Sequence, residues 1–275
     1  MEKEIKERIF LVGCPRSGTT FLQSLIAAHP QVASFPETHF LVATGRTWRG
    51  RWCTRLGVAS PEMKERLDQF LGEIGHDEMR VLLPRSNWLI RPYADALVRI
   101  LDRLTLNQGK AVWLEKTPGH LHYVDLLERY IPGARFIHIV RNGPDVVASL
   151  YEITRKYPQH WGGAYSIDHC IDRWNQDVRL TQRYARRANH MLVRYEKLMK
   201  DLQVVLADVC DFIGVAFSQD MVTRRGLATK EVVLAHEAWK QENEHAIHQK
   251  YTRFEGVFSQ SQRAHIQERL AQIEL

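Results

Sequence analysis

Residues 9–20 read IFLVGCPRSGTT, and they carry the clearest fold signal in the chain. Its first five residues are a short apolar run ending in Gly13, which predicts a buried strand. The following residues are small, basic or hydroxyl-bearing, and an apolar helical pattern begins at Thr19. A glycine-rich turn between a strand and a helix gathers backbone N–H groups where an anion can bind. The stretch therefore predicts a phosphate-binding loop.

The loop differs from the Walker A loop of nucleoside-triphosphate enzymes at one informative position. The spacing of Gly13 and Gly18 matches the Walker glycines, but Thr19 stands where that loop has lysine. The basic residue lies inside the loop instead, at Arg16. The most strand-like later segment ends in Arg141, where an acidic residue would help to hold Mg²⁺. This pattern favours a donor whose transferred group is less charged than a γ-phosphoryl and needs no metal.

Strand-like and helix-like segments alternate along the chain, which predicts an α/β fold with a parallel β-sheet flanked by helices. The predicted strands cover residues 9–13, 32–35, 111–115, 135–140 and 191–195. The predicted helices cover residues 19–28, 61–74, 92–106, 119–130, 144–154, 167–188 and 200–213. We expect a single domain over residues 1–275, in which residues 41–110 form a helical insertion over one face of the sheet.

Composition excludes several classes of protein. The chain has 275 residues, 44% hydrophobic and 25% charged, which excludes a disordered chain, collagen and a coiled coil. No run approaches the ~20 apolar residues of a membrane span, and the charged N-terminus is not a secretory signal. Four scattered cysteines without a CxxC pair argue against a disulfide framework, so we expect a cytoplasmic location. The net charge of +6 suits an anionic ligand, and no nucleic-acid-binding motif is visible.

Two segments carry a resemblance to a known family. Residues 15–20 read PRSGTT and residues 141–149 read RNGPDVVAS, each at a predicted strand–helix junction. In this order the two segments resemble the donor-binding motifs of sulfotransferases that use 3′-phosphoadenosine 5′-phosphosulfate (PAPS). The C-terminal Arg-Lys-Gly triplet of cytosolic small-molecule members is absent. The chain is therefore more similar to bacterial and Golgi-type members, such as the tyrosylprotein and carbohydrate sulfotransferases.

The resemblance implies a P-loop-containing fold and a set of residues that bind the nucleotide donor. The residues implied to hold the 5′-phosphosulfate are Arg16, Ser17, Gly18, Thr19 and Thr20. It further implies that Arg141 and Ser149 bind the 3′-phosphate and that Tyr195 lies near the adenine. The physical pattern agrees for Arg141, because ligands of open α/β sheets bind at the carboxyl ends of strands.

The resemblance also implies the catalytic residues. Glu37 follows the predicted strand at residues 32–35 and resembles the glutamate base of the tyrosylprotein and Golgi-type enzymes. His39 is a competing candidate for the base. Lys116 follows the strand at residues 111–115 and would contact the leaving bridging oxygen, and Arg16 would stabilise charge beside it. No metal is expected, since the histidine pair at residues 120 and 122 has no clear third ligand.

The sequence therefore predicts transfer of a sulfuryl group from PAPS to a hydroxyl, or less favourably an amine, of a carbohydrate, lipid or other small-molecule acceptor. Two alternatives stay open: a P-loop nucleotide kinase with a degenerate Walker A loop, and a non-catalytic protein that binds polyanions. Residues 44–55 hold four arginines and two tryptophans, either as part of an acceptor pocket or as packing of the insertion. The oligomeric state is open, with a homodimer as one alternative.

Overall fold

Five parallel strands form one sheet in a computed structural model that describes residues 4–42, 48–85, 88–234, 237 and 253–272. The strand order is β2-β3-β1-β4-β5. The strands are β1 (Glu7–Gly13), β2 (Val32–Ser34), β3 (Val112–Lys116), β4 (Arg135–Val140) and β5 (His190–Arg194). The prediction of a parallel α/β sheet flanked by helices is confirmed.

Helices cover both faces of this sheet. The helices of the first half of the chain are α1 (Thr19–Ala27), α2 (Trp48–Arg55), α3 (Pro61–Glu73), α4 (Ile90–Asn107) and α5 (Val124–Tyr130). Those of the second half are α6 (Gly143–Lys156), α7 (Pro158–Trp161), α8 (Ile167–Tyr184), α9 (Tyr195–Lys200), α10 (Leu202–Phe212), α11 (Asp220–Thr223), α12 (Arg225–Val232), α13 (Arg253–Val257) and α14 (Gln260–Arg269). Two 3₁₀ helices, Asp77–Leu82 and Pro118–Tyr123, lie between them. In the described ranges, no helix is both long and apolar enough to cross a membrane.

Side chains of the strands alternate between two buried faces, as expected for parallel strands covered on both sides. Phe10 and Trp113 meet edge to face, with ring centroids 5.4 Å apart, on the face that packs against α4 and α5. Ile9 and Leu11 point to the opposite face, which packs against α1 and α10. The two apolar layers fix β1 at the centre of the molecule.

The central position of β1 determines where a ligand can bind. Its neighbours are β3 on one side and β4 on the other, so the order of strands reverses at β1. Leu11 lies opposite Lys116 and Gly13 opposite Ile139, so the carboxyl ends of the three strands form one edge. In open α/β sheets the ligand crevice lies at such a reversal point, beyond the carboxyl ends of the strands.

The structure differs from the sequence-based prediction at several boundaries. The helix predicted over residues 119–130 is divided into a 3₁₀ helix and α5, because Pro118 starts a tight turn directly after β3. Strand β3 extends one residue further than predicted, so Lys116 lies within the strand and is buried. Helices α12 and α14 were not predicted, since their sequences are too polar to show a clear apolar stripe.

A buried histidine pair lies in the sheet on the α5 side. His138 Nε2 is 2.7 Å from His190 Nδ1, and His190 Nε2 is 3.1 Å from Glu128 Oε1. His138 is fully buried, and its Nδ1 has no hydrogen-bond partner within the described part of the chain. Burial, together with the nearby His190, lowers the pKa of His138 to about 3. His138 is therefore neutral in the folded protein at physiological pH.

We expect this pair to destabilise the fold in acid. Because the folded pKa of His138 lies below the unfolded value of about 6.5, the unfolded chain binds more protons as the pH falls from 6.5 towards 3. The free energy of unfolding should then decrease between pH 7 and pH 4 by about 3 kcal/mol more in the wild type than in His138→Phe. Urea titrations at each pH measure this difference. Equal decreases in both proteins would contradict a neutral, buried His138.

Candidate active site

The phosphate-binding loop joins β1 to α1 at the reversal point of the sheet. Gly18 adopts φ +94° and Arg16 adopts φ +73°, so two backbone units in this short loop are left-handed. Such a conformation costs a non-glycine residue about 1 kcal/mol or more and is found mostly at functional sites. The Ser17 hydroxyl is fully buried, and its oxygen has no hydrogen-bond partner among the described residues. A buried donor of this kind fits an anion placed in the loop.

Tyr195 at the start of α9 packs directly on the loop. A Cβ atom added to Gly18 would lie 2.5 Å from a ring carbon of Tyr195, which is too close for any side chain. The ring of Phe21 lies 6.4 Å from that of Tyr195, and the guanidinium of Arg225 lies 5.0 Å from the centre of the Phe21 ring. The structure thus places aromatic faces beside the loop, where the resemblance implies the adenine.

The second motif begins helix α6 at the end of β4. The side chain of Asn142 caps the helix by accepting a hydrogen bond from the backbone N–H of Asp145, and Pro144 occupies its first turn. Arg141 donates through Nη2 to Asp145 at 2.9 Å, and its guanidinium lies 4.6 Å from the centre of the Tyr195 ring. Trp174 of α8 donates to the Arg141 carbonyl at 3.1 Å. Strand end, helix cap and α8 together fix the position of Arg141.

The two motifs meet in space. Arg16 in the loop donates through Nε to Ser149 Oγ on α6 at 3.0 Å, although the two residues are 133 positions apart. The ion pair of Arg141 with Asp145 leaves Arg141 Nε buried and without a hydrogen-bond partner among the residues that the structure describes. A guanidinium with an unused buried N–H can still donate to a phosphate oxygen. The polar atoms around Arg141 and Ser17 thus fit the anionic groups of a nucleotide.

Glu37 and Lys116 form a buried ion pair next to this loop. Lys116 Nζ contacts Glu37 Oε1 and lies 3.4 Å from Thr20 Oγ1 at the start of α1. Both charged side chains are almost completely buried, at 1% for Lys116 and 8% for Glu37. Removing an ion from water costs several kcal/mol, so a buried pair is expected only where its geometry serves a purpose or is well compensated. His39 Nε2 lies 3.2 Å from Glu37 Oε2, so both candidate bases occupy the same site.

Three structural contributors to the site were not predicted. Arg66 of α3 donates to the backbone carbonyls of Glu37 and Thr38, at 2.9 Å and 2.8 Å, and its helix gives no sequence signal for this role. Glu115 and His120 form a fully buried hydrogen-bonded pair next to the same backbone segment. The cluster of polar residues after β3 was the only available signal, and its histidines were considered there as metal ligands.

The two histidines of that cluster have separate carboxylate partners. His120 Nδ1 lies 2.9 Å from Glu115 Oε2, and His122 Nε2 lies 2.7 Å from Asp177 Oδ1. Over the described ranges, no group of three or more His, Cys, Asp or Glu side chains is arranged to hold a metal ion. Both histidines therefore have structural partners of their own.

The proposed acceptor segment at residues 44–55 is only partly described. Residues 44–47 lie outside the described residues, whereas residues 48–55 form α2. Trp52 is 60% exposed on this helix. Its exposure does not fit packing in the interior of the insertion, and an acceptor role for the segment stays a proposal.

Comparison with known proteins identifies the family. Residues 8–219 match the model of the Sulfotransferase family. Protein-tyrosine sulfotransferase 2 of Gallus gallus is 27% identical over 228 residues, which cover 81% of this chain and 55% of the chicken protein. The sulfotransferase domain from the curacin biosynthetic pathway superposes with a TM-score of 0.61 at 18% identity and covers 97% of this chain and 98% of its own. Mouse sulfotransferase SULT7A1, solved in complex with PAP, superposes with a TM-score of 0.53 at 14% identity over 97% of this chain and 84% of its own.

These relatives correct one prediction and set a limit on others. The predicted cytoplasmic location is wrong: the chain is similar to protein-tyrosine sulfotransferases such as those of Gallus gallus and Homo sapiens, and this similarity does not support a cytoplasmic enzyme. A small number of cysteines does not identify a compartment, since reduced cysteines occur in proteins of many compartments. The chain spans about half the length of the chicken relative, so acceptors and partners of that protein do not transfer directly.

The matched family model covers both motifs, the loop after β2 that carries Glu37 and the strand β3 that carries Lys116. The solved relatives share the sheet and its helices over nearly the whole chain. The chain therefore belongs to the sulfotransferase family and is a PAPS-dependent sulfotransferase.

Proposed function

We propose that this protein transfers a sulfuryl group from PAPS to the hydroxyl of a tyrosine, with Glu37 as the general base. The observation that carries the proposal is the contact of Lys116 with both Glu37 and Thr20. Through this contact, Lys116 connects the Glu37 carboxylate, which can accept a proton, with the loop that is expected to hold the phosphosulfate. Both groups lie at the carboxyl edge of the sheet, where the fold binds its ligands.

The proposed donor site rests on buried polar atoms that have no hydrogen-bond partner among the described residues, Ser17 Oγ and Arg141 Nε. Backbone N–H groups of the loop and the Ser17 hydroxyl would hold the 5′-phosphosulfate with Arg16, Gly18, Thr19 and Thr20. Ser149 and Arg141 would hold the 3′-phosphate, with Arg141 Nε supplying a donor that is buried and not used within the described residues. The ring of Tyr195 would lie against the adenine.

The proposed chemistry is a single displacement at sulfur. The acceptor oxygen forms a bond to sulfur while the bond from sulfur to the bridging phosphate oxygen breaks, and the products are a sulfate ester and PAP. Glu37 accepts the hydroxyl proton, a role worth about 10²–10⁴ in rate for a positioned base. Lys116 and Arg16 donate hydrogen bonds to the oxygens on which negative charge increases. The Lys116–Glu37 contact supports a cation and a base that act on the same transferred group.

The acceptor proposal is supported by the relatives and by one feature of the chain. Several curated relatives are named protein-tyrosine sulfotransferases, including those of Gallus gallus and Homo sapiens. Trp52 on α2 is 60% exposed and can contact an aromatic or sugar ring. Carbohydrate and lipid hydroxyls, which the sequence also suggested, are the competing acceptors.

Transfer of label from ³⁵S-PAPS tests the acceptor. We expect labelling of a peptide with one tyrosine, and none of the same peptide with phenylalanine in its place. Labelling of sugars or lipids alone would overturn the tyrosine proposal but would agree with the assignment of the chain as a sulfotransferase.

A further inference from the structure

We propose that Glu115, a fully buried carboxylate on β3, is a positioning residue that fixes the loop carrying the base. This inference rests on the proposed role of Glu37. Glu115 Oε1 accepts hydrogen bonds from the Thr38 hydroxyl at 2.8 Å, the Thr38 backbone N–H at 3.2 Å and the Thr117 hydroxyl at 2.6 Å. Glu115 Oε2 accepts from His120 Nδ1 at 2.9 Å. The carboxylate is therefore surrounded by donors, two of which come from the residue after the base.

Four consecutive backbone N–H groups after Glu37 end on this buried network. The N–H of Thr38 donates to Glu115, and that of His39 donates to Thr117 Oγ1 at 3.2 Å. The N–H of the next residue donates to Thr38 Oγ1 at 3.4 Å, and that of Leu41 donates to His120 Nε2 at 3.4 Å. Every acceptor in this series bonds directly to the Glu115 carboxylate or belongs to it. One anion thus orders the backbone of the whole segment.

The network also has a consistent proton arrangement. Because His120 accepts at Nε2 from a backbone N–H, its Nδ1 carries the proton that is donated to Glu115. Burial alone raises the pKa of Glu115, but His120 and the hydroxyls of Thr117 and Thr38 outweigh burial and lower it. Glu115 is therefore an anion at neutral pH, and each of its bonds to the loop is charge-assisted.

The loop backbone itself needs such support. His39 has φ +49°, a left-handed conformation that a non-glycine residue adopts at a cost. Arg66 holds the carbonyls of Glu37 and Thr38 while its other donors bind Glu73. The N–H side of the segment is thus bound to an anion and the carbonyl side to a cation. This arrangement fixes the peptide that begins at the base.

The strand geometry links this anion to catalysis. Glu115 and Lys116 are neighbours on β3, so their side chains point to opposite faces of the sheet. Lys116 contacts the carboxylate of Glu37, and Glu115 binds the backbone of the following residue. The end of β3 therefore binds both the side chain of Glu37 and the backbone of Thr38, the residue that follows it. These two contacts set the distance between Glu37 and Lys116. Displacing a catalytic group by about 1 Å can cost about 100-fold in rate.

The test compares turnover with donor-product binding in Glu115→Gln. The amide keeps the shape but presents N–H groups to donors, so we expect kcat to fall about 10–100-fold while the Kd for PAP changes less than twofold. In a Glu37→Gln background the same substitution should cause no further loss, because Glu115 acts through Glu37. Wild-type kcat, or a loss that adds in full to that of Glu37→Gln, would overturn the positioning role. Wild-type turnover of Glu37→Gln alone would instead overturn the proposed base, so the two failures are distinguishable.

A second pair of variants tests the positioning role of Glu115 if Glu115→Gln does not fold. Thr117→Val removes the hydroxyl that links Glu115 to the His39 N–H, and Thr117→Ser restores it. We expect Val to lower kcat about tenfold and Ser to recover most of that loss. Thr105→Val is the matched control, since Thr105 is equally buried but bonds to the Leu101 carbonyl in α4. If both Thr117 variants leave kcat unchanged, or if Thr105→Val lowers kcat as much as Thr117→Val does, the positioning role is wrong.

Discussion

Glu37→Gln should lose about 10²–10⁴-fold in kcat and keep the wild-type affinity for PAP. The amide has the shape of the carboxylate but cannot accept the proton of the acceptor hydroxyl. Binding should be unchanged, because the groups proposed to hold the nucleotide are in the loop at residues 15–20, at Arg141 after β4, on α6 and at Tyr195 of α9. Single-turnover assays with ³⁵S-PAPS, combined with calorimetry for PAP, measure the two quantities separately.

The control for this prediction is Glu65→Gln on α3, an exposed glutamate away from the ion pair. It should leave kcat within twofold of the wild type. If Glu37→Gln keeps wild-type turnover, Glu37 is not the base, and His39, 3.2 Å from the same carboxylate, becomes the candidate to replace next.

Arg141→Ala should weaken PAP binding about 10–150-fold, the range for loss of a hydrogen bond to a charged group worth about 1.5–3 kcal/mol. The substitution removes the proposed contact with the 3′-phosphate and also leaves Asp145 without its 2.9 Å partner. Both effects act against an anionic ligand. Calorimetry with PAP and with 5′-AMP separates them, because 5′-AMP has no 3′-phosphate.

Two comparisons control for a general loss of positive charge. Arg179→Ala removes an exposed arginine from α8 and should leave PAP affinity unchanged. Arg141→Ala should also abolish the preference for PAP over 5′-AMP. An equal loss of affinity for both nucleotides would mean that Arg141 does not recognise the 3′-phosphate.

The sequence was sufficient for the features that depend on local pattern. A strand, a glycine-rich turn and a helix follow one another within about a dozen residues, so the phosphate loop was predictable from residues 9–20. The roles of Arg141 and Ser149 came from the family resemblance, and the strand–helix junction agrees with the resemblance for Arg141. The contact of Ser149 with Arg16 depends on the placement of β4 beside β1, which sequence pattern alone does not specify.

The support of the base could not be predicted, because it depends on long-range contacts. Glu115 lies 77 positions from Thr38, and Arg66 lies 29 positions from Glu37. From sequence, Glu115 is a single polar residue in an apolar strand, because the hydrogen-bond donors to its carboxylate are not identifiable without the structure. The polar C-terminal helices were missed because α14 buries only Ile266 fully and shows no apolar stripe.

Calorimetric titration of the protein with PAP in EDTA, with 5′-AMP as the comparison, tests whether this site binds the sulfate donor. We expect saturable binding of PAP without a divalent metal, and binding of 5′-AMP at least about tenfold weaker because it lacks the 3′-phosphate. Absence of any binding heat at millimolar PAP, or equal affinity for the two nucleotides, would contradict the assignment of this site to the sulfate donor.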